Sequence, residues 1–398
     1  MILYGQIVGE YIVITVFKNG QIYDSDKRSF VSANLLVRDG MIESVGSFPI
    51  PADAADATVV DCGGCWLLPG LVDIHTHGRG GYDFTAVDSD AVRVLRRSYA
   101  ETGTTTVMAT LASAPMDALV SCIDAINDNR APEAGLAHVG GIHLEGRYLN
   151  PKRRGAHAEE LLALPDAAEL EGLLRRMMPL PVHISCAAEL DGGESFVKAA
   201  RALGATVGLA HSDATWEEAE RAVSWGVTSF THTYNAMRPI HHREPGNMIA
   251  SLLADDCYSE FICDGEHSHP AMIRLAARVK DADHLVLITD SLEAAGCRDG
   301  QYSIAGMTVI VTNGRAVTTE GALAGSTLDL FTALVNFMRF TGLTLEEALP
   351  CVTANPAAMV GLDNVCGSLK PGRYADLIMI RDKEAPAPES VWIMGQRV

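Results

Sequence analysis

No uninterrupted apolar stretch in this 398-residue chain approaches the ~20 residues that cross a bilayer as a helix. The N-terminus, MILYGQIVGEYIVITVF, has no basic region ahead of its apolar residues, and Gln6 and Glu10 interrupt them. It reads as strand material rather than as a secretory leader. Positive charge is also short. Lys and Arg number 31 against 50 Asp and Glu, a formal net charge of −19. That balance argues against nucleic acid or an anionic membrane surface as a partner. The nine cysteines are odd in number and scattered, and Cys62-Gly-Gly-Cys65 has no second pair at zinc-knuckle spacing. Reduced thiols in a cytoplasmic protein are expected, with Cys62 and Cys65 as small apolar residues beside a turn. There is no repeat at a solenoid period and no low-complexity tract.

What is present describes a folded chain longer than one core supports. Hydrophobic residues make up 48% and charged residues 20%, which excludes disorder. Single cores rarely exceed roughly 250–300 residues, so one large domain with a smaller satellite is expected. Both chain ends look like β-structure. Ile12–Val16 and Leu35–Val37 are rich in branched residues, with a turn at Asp39-Gly40. Ala375–Ile380 and Val391–Met394 match them near the C-terminus. A small β-sandwich domain built from residues 1–65 plus 368–398 is therefore expected.

The middle, 66–367, alternates. Its apolar runs are Trp66–Ile74, Thr105–Thr110, Val139–Leu144, Val182–Cys186, Thr206–Ala210, Thr228–Thr231, Ser259–Cys263 and His284–Thr289. Helical patterns lie between them, such as Asp90–Ala100, Ala167–Met178, Trp216–Ser224 and Met272–Val279, with Ser89 and Thr215 as N-cap residues. Eight strands alternating with helices predict an α/β fold, a (β/α)8 TIM barrel. A doubly wound open sheet would alternate in the same way, but no Gly-x-Gly-x-x-Gly follows the first strand.

Polar residues cluster where these runs end. His75-Thr-His77 follows the first, Glu145 the third, His211 the fifth, His232 the sixth, Asp264 and His267 the seventh, and Asp290 the eighth. A barrel gathers its strand ends into one mouth. In His-x-His on a strand both imidazoles face one side, because side chains alternate with period two. With Glu145, His211 and His232 they form a donor set for zinc or another divalent ion. One or two ions would fit, with Glu145 bridging in the second case. Such an ion activates water and polarises a carbonyl oxygen. Asp290 is then the candidate proton carrier between water and leaving nitrogen. His138, His183, His269 and His284 read as structural.

These motifs resemble a known family. Pro69-Gly-Leu-Val-Asp-Ile-His-Thr-His77 is similar to the first strand of the amidohydrolase superfamily. The N-acetylglucosamine-6-phosphate deacetylase family is resembled more closely still. The matches include His143-Leu-Glu-Gly146, Asn150-Pro-Lys-Arg-Arg-Gly-Ala-His157, Thr231-His-Thr-Tyr-Asn-Ala-Met237, Arg243-Glu-Pro-Gly246, Asp264-Gly-Glu-His267 and Leu323-Ala-Gly-Ser326. The resemblance runs from about residue 30 to the end, and the first dozen residues look like an extension. It implies a barrel with a small β domain, usually a homodimer, that removes acetate from an amino-sugar 6-phosphate. It implies Glu145, His211 and His232 as metal ligands, with His75 and His77 completing a second position. Zinc is expected, with iron or another divalent ion as the alternative. It implies Asp290 as general base and acid, and His267 on the sugar or the reacting carbonyl. His157 would hold sugar hydroxyls, Asn235 and Ala236 would meet the phosphate, and Arg243 would bind phosphate from its own or the neighbouring subunit.

Arg238, His241, His242 and Arg243 form a basic island in an acidic chain, a fit for a dianionic phosphate. One departure concerns specificity. Arg147 stands where the family usually has Pro. It is expected to touch substrate or to pair with Asp191 or Glu189, and so to admit a modified or different acyl sugar. The alternatives are a deacetylase of N-acetylgalactosamine 6-phosphate or another acylated amino sugar, then hydrolysis of a cyclic amide or nucleobase, then a catalytically silent scaffold.

Overall fold

The computed structural model of the protein describes residues 13–48 and 57–398. The N-terminal extension and Ile12 lie outside the described residues. Eight strands pair in chain order, all parallel: β1 (Leu71–Thr76), β2 (Thr104–Leu111), β3 (His138–Glu145), β4 (Val182–Cys186), β5 (Thr206–Leu209), β6 (Ser229–Phe230), β7 (Tyr258–Ile262) and β8 (Leu285–Ile288). The first and last meet through side chains and loop backbone. Asp290 N donates to His75 O at 2.9 Å, and Thr289 Oγ1 donates to Asp73 Oδ2 at 2.6 Å. Strands β1 and β2 are buried at every residue.

Helices cover the outside: α1 (Ser89–Ala100), α2 (Met116–Asp128), α3 (Ala167–Met177), α4 (Gly193–Ala202), α5 (Trp216–Trp225), α6 (Gly246–Leu253), α7 (Pro270–Val279) and α8 (Leu330–Thr341). Each turns one stripe inward; α1 buries Val92, Leu95 and Tyr99 on the face that meets the sheet. Thr215 caps α5 in a capping box with Glu218. The α1 cap is Asp88, one residue before the expected Ser89. None of the described helices is long and apolar enough to cross a membrane.

A second sheet joins both chain ends. It contains Ile14–Asp24, Ser29–Arg38, Met41–Gly46, Thr58–Asp61, Trp66–Pro69, Leu377–Ile380, Ser390–Ile393 and Gln396–Arg397. Asp39 and Gly40 both have positive φ, at 49° and 78°, which suits the tight turn between the second and third of these strands. Phe17, Ile22, Leu35, Leu67 and Leu377 share a core with Cys62 and Cys65. All nine cysteines are free thiols.

The run Trp66–Ile74 is not one strand. Trp66–Pro69 pairs with Leu377–Ile380 in the end-built sheet, and β1 begins after Gly70. An inserted three-stranded antiparallel sheet, Gly300–Ile304, Met307–Thr312 and Arg315–Thr318, follows β8. It packs Ile304, Val309 and Ala324 against Ala112 and Ala156. The alternation of Met307–Thr312 and the turns Ala305-Gly306 and Asn313-Gly314, all at positive φ, are its legible signals.

Gly70 is the junction between the two sheets, and a Cβ there would sit 2.1 Å from Thr105 Oγ1. Gly70→Ala is expected to destabilise the protein by about 1–3 kcal/mol through overpacking. Denaturant unfolding measures it; an unchanged midpoint would show that Thr105 turns aside freely.

Candidate metal centre and active site

The strand ends deliver their side chains to one mouth. His75 and His77 both reach Glu145, while Thr76 between them turns away to bond Tyr99 Oη at 2.7 Å and Ser291 Oγ at 2.8 Å. Glu145 ends β3, and His211, His232 and Asp290 each stand two residues beyond β5, β6 and β8. All three adopt left-handed backbone, with φ of 44°, 33° and 48°. Such conformations are costly for residues with a Cβ, and here they coincide with the chemistry.

Two groups of donor atoms share Glu145. In the first, His211 Nε2 and His232 Nε2 lie 3.3 and 3.0 Å from Glu145 Oε1 and 3.1 Å from each other. His211 Nδ1 donates to Arg153 O at 2.8 Å, which turns Nε2 toward Glu145 as the ligand nitrogen. In the second, His77 Nε2 lies 3.0 Å from Glu145 Oε2 and 3.2 Å from Asp290 Oδ1, and His75 Nε2 lies 3.4 and 3.5 Å from the same two oxygens. Within each group the donor atoms fall within 4.8 Å of one another. His75 Nε2 is buried without a hydrogen-bond partner. Imidazole lone pairs converging on a carboxylate, with one buried nitrogen unsatisfied, fit a divalent cation.

The electrostatics follow from that convergence. Burial alone would push the Glu145 carboxyl up, but His75, His211 and His232 hold it well below the usual carboxylate range. Burial likewise opposes ionised Asp290, and His75 and His77 draw it down to about 2. Two further imidazoles are set apart. Burial and then His211 push His157 down to about 3, leaving it neutral at pH 7. Burial also opposes the charged form of His267, but Asp264, 2.6 Å from its Nδ1, raises it above its ordinary value.

A cavity of about 500 Å³ opens over these groups. Among the sequence-derived site residues, His77, Glu145, His157, His211, His232, Asn235, Ala236, His267 and Asp290 line it. His75 lies beneath, fully buried. Arg147 and Arg243 do not line it. The Arg147 guanidinium is 3.3 Å from Glu169 on α3, its ion-pair partner in place of the expected Asp191 or Glu189. A φ of 62° turns the chain there, a value proline cannot adopt. What Arg147 gives the site is backbone: its N–H donates to Ser113 Oγ at 3.0 Å, and that hydroxyl bonds His157 Nδ1 at 2.9 Å. Arg243 is exposed, with its guanidinium 2.9 Å from His242 Nε2.

Other residues at the site carry no site role from the sequence. Lys152, Arg153 and Arg154 line the cavity, Arg153 bonded to Asp213 and Arg154 to Glu320. Their signal was the basic run between Pro151 and Gly155. Glu189 ties two loops together by accepting from Asn150 Nδ2, Ser212 Oγ and Asp213 N at 2.7–2.9 Å. It thereby holds the loop that carries His211. Glu260 was hidden inside the run Ser259–Cys263 and sits fully buried beside His75.

The sequence model of the Amidohydrolase family matches residues 66–398. The chain belongs to that family. This amidohydrolase is 33% identical over 362 residues to an N-acetylgalactosamine-6-phosphate deacetylase of Escherichia coli O157:H7, covering 91% of this chain and 93% of the relative. It is 33% identical over 347 residues to an N-acetylglucosamine-6-phosphate deacetylase of Vibrio furnissii, covering 87% and 85%. The crystal structure of N-acetylglucosamine-6-phosphate deacetylase from Pasteurella multocida superposes with a TM-score of 0.88 at 25% identity, covering 97% and 99%.

Because Glu145 belongs to both donor groups, Glu145→Gln is expected to lose more bound metal than His77→Ala or His232→Ala, measured by elemental analysis of purified protein. Equal retention in all three would contradict a shared carboxylate. Asp264→Asn removes the charge that raises His267, so the His267 pKa falls. If the imidazolium is the active form, the limb on which kcat/KM declines with rising pH moves to lower pH; an unmoved limb would separate His267 protonation from turnover.

Proposed function

We propose that this amidohydrolase removes acetate from the 2-acetamido group of an amino-sugar 6-phosphate, N-acetylglucosamine 6-phosphate first. One observation carries the proposal. Asp290, the Glu145-centred donor groups and the polar contacts His157, Asn235 and Ala236 face one cavity, in a chain a third identical to proteins named as deacetylases of such sugars.

A bound divalent ion, zinc first and in one or two copies, would supply the Lewis acidity that activates water and polarises the amide carbonyl. Glu145, His211 and His232 would hold one position, and His75, His77, Glu145 and Asp290 the other. Asp290 takes a proton from the attacking water and returns it to the sugar nitrogen as the C–N bond breaks. Acetate and the free amino sugar phosphate are the products. His267, whose charged form Asp264 favours, donates to the developing oxyanion. Neutral His157 receives or donates hydrogen bonds at sugar hydroxyls. Asn235 and the turn at Ala236 meet the phosphate. Arg243, exposed on its own subunit, serves the neighbouring cavity of a homodimer. The site of action is the cytoplasm.

A substrate panel tests the assignment. Acetate release is expected from N-acetylglucosamine 6-phosphate above its galacto epimer, with the unphosphorylated sugars poorest; preference for the galacto epimer would select the alternative, and release from cyclic amides alone would overturn both. On the preferred substrate Asp290→Asn is expected to lower kcat at least ~10²–10⁴-fold, the range for a proton-transfer group. Near-normal turnover would remove Asp290 from that role.

A further inference from the structure

Glu260 lies on β7 with no exposed surface. Its Oε2 accepts the His232 backbone N–H at 3.3 Å and stands 3.3 Å from His75 Nδ1. Its Oε1 stands 3.6 Å from His183 Nε2. Among the described residues its ion-pair partners are these two imidazoles, with no lysine or arginine. A carboxylate withdrawn from water needs compensating positive charge, and Glu260 has none of the ordinary kind.

The geometry fixes what His75 must do. A hydrogen bond from the ring to a carboxylate requires the proton on Nδ1. The lone pair is then on Nε2, which is unpartnered and faces the gap between Glu145 Oε2 and Asp290 Oδ1. The other imidazoles of the two donor groups are backed differently. His211 Nδ1 meets a backbone carbonyl, and the Nδ1 atoms of His77 and His232 are unpartnered. Only His75 among the four has a carboxylate behind it. A carboxylate there fixes the tautomer, makes the ring a stronger donor and places negative charge near any bound cation.

We propose that Glu260 is a positioning residue for the second metal position, setting whether the His75–His77–Glu145–Asp290 group holds its ion. This rests on the proposal above that the group is a metal site. His183 closes the other side of the carboxylate, so the buried imidazole of β4 acquires a role beyond packing.

The test is metal stoichiometry and affinity, not turnover. Zinc binding is measured by calorimetry in a competing chelator, with elemental analysis of the dialysed protein. Wild type is expected to hold two ions and Glu260→Gln one, through a 10–100-fold weakening confined to the second position. His75→Ala defines what complete loss looks like. In the His75→Ala background, Glu260→Gln is expected to leave the remaining ion's affinity unchanged. If Glu260→Gln keeps two ions at wild-type affinity, or weakens the remaining ion in that background, the positioning role is overturned. If wild type itself binds a single ion, the two-ion proposal fails first and this role goes with it. Should Glu260→Gln not fold, wild type decides alone. With ¹¹³Cd bound, ¹⁵N-histidine spectra are expected to show metal coupling on His75 Nε2, assigned by its loss in His75→Ala; coupling on Nδ1 would overturn the role.

Discussion

Everything at the barrel mouth is arranged around one carboxylate. Glu145 meets the Nε2 atoms of His75, His77, His211 and His232 within 3.4 Å, and that of His157 at 3.8 Å. So many imidazole nitrogens converge on one acid in a water-poor site that hydrogen bonds do not serve them all, and His75 Nε2 is left without a partner. A cation resolves the conflict. The fold prepares for it by fixing three of these rings from behind: a backbone carbonyl for His211, Glu260 for His75, and the Ser113 hydroxyl for His157. The left-handed turns at His211, His232 and Asp290 are the local cost of aiming these groups inward.

Surrounding charge divides the remaining labour. Burial leaves His157 neutral, whereas Asp264 raises His267 above its ordinary value. Two imidazoles on one cavity thereby differ in their readiness to carry a proton. The inserted sheet after β8 completes the wall with Ile304, and Leu323 and Gly325 follow it. Relatives named for the gluco and galacto sugars are equally similar to this chain.

Much of this was legible in the residues. Short apolar runs, six of eight ending in His, Glu or Asp, announce a parallel barrel with a metal site at its mouth, because such a fold brings its strand ends together. Periodicity was blind where it reports burial but not location. Trp66–Ile74 is apolar but for Asp73, yet Gly70 hands it from one sheet to another. Arg147 was misplaced because adjacency to Glu145 along the chain was taken for adjacency in space, and a single positive φ sends its guanidinium toward α3. The inserted sheet was missed because eight runs already accounted for a barrel. Glu260 was missed because one acid within an apolar strand looks like a lapse in the pattern, when it is the part of the pattern that serves the site.

The junction at Gly70 also bears on how the protein is made. The strand that feeds directly into His75 and His77 takes its antiparallel neighbour, Leu377–Ile380, from the far end of the polypeptide. During synthesis that neighbour emerges long after the histidine pair, which waits on the whole barrel before its supporting sheet can close. Long-range pairing of this kind slows assembly, and loss of Leu377–Ile380 would be felt at the barrel mouth although none of these residues reaches it.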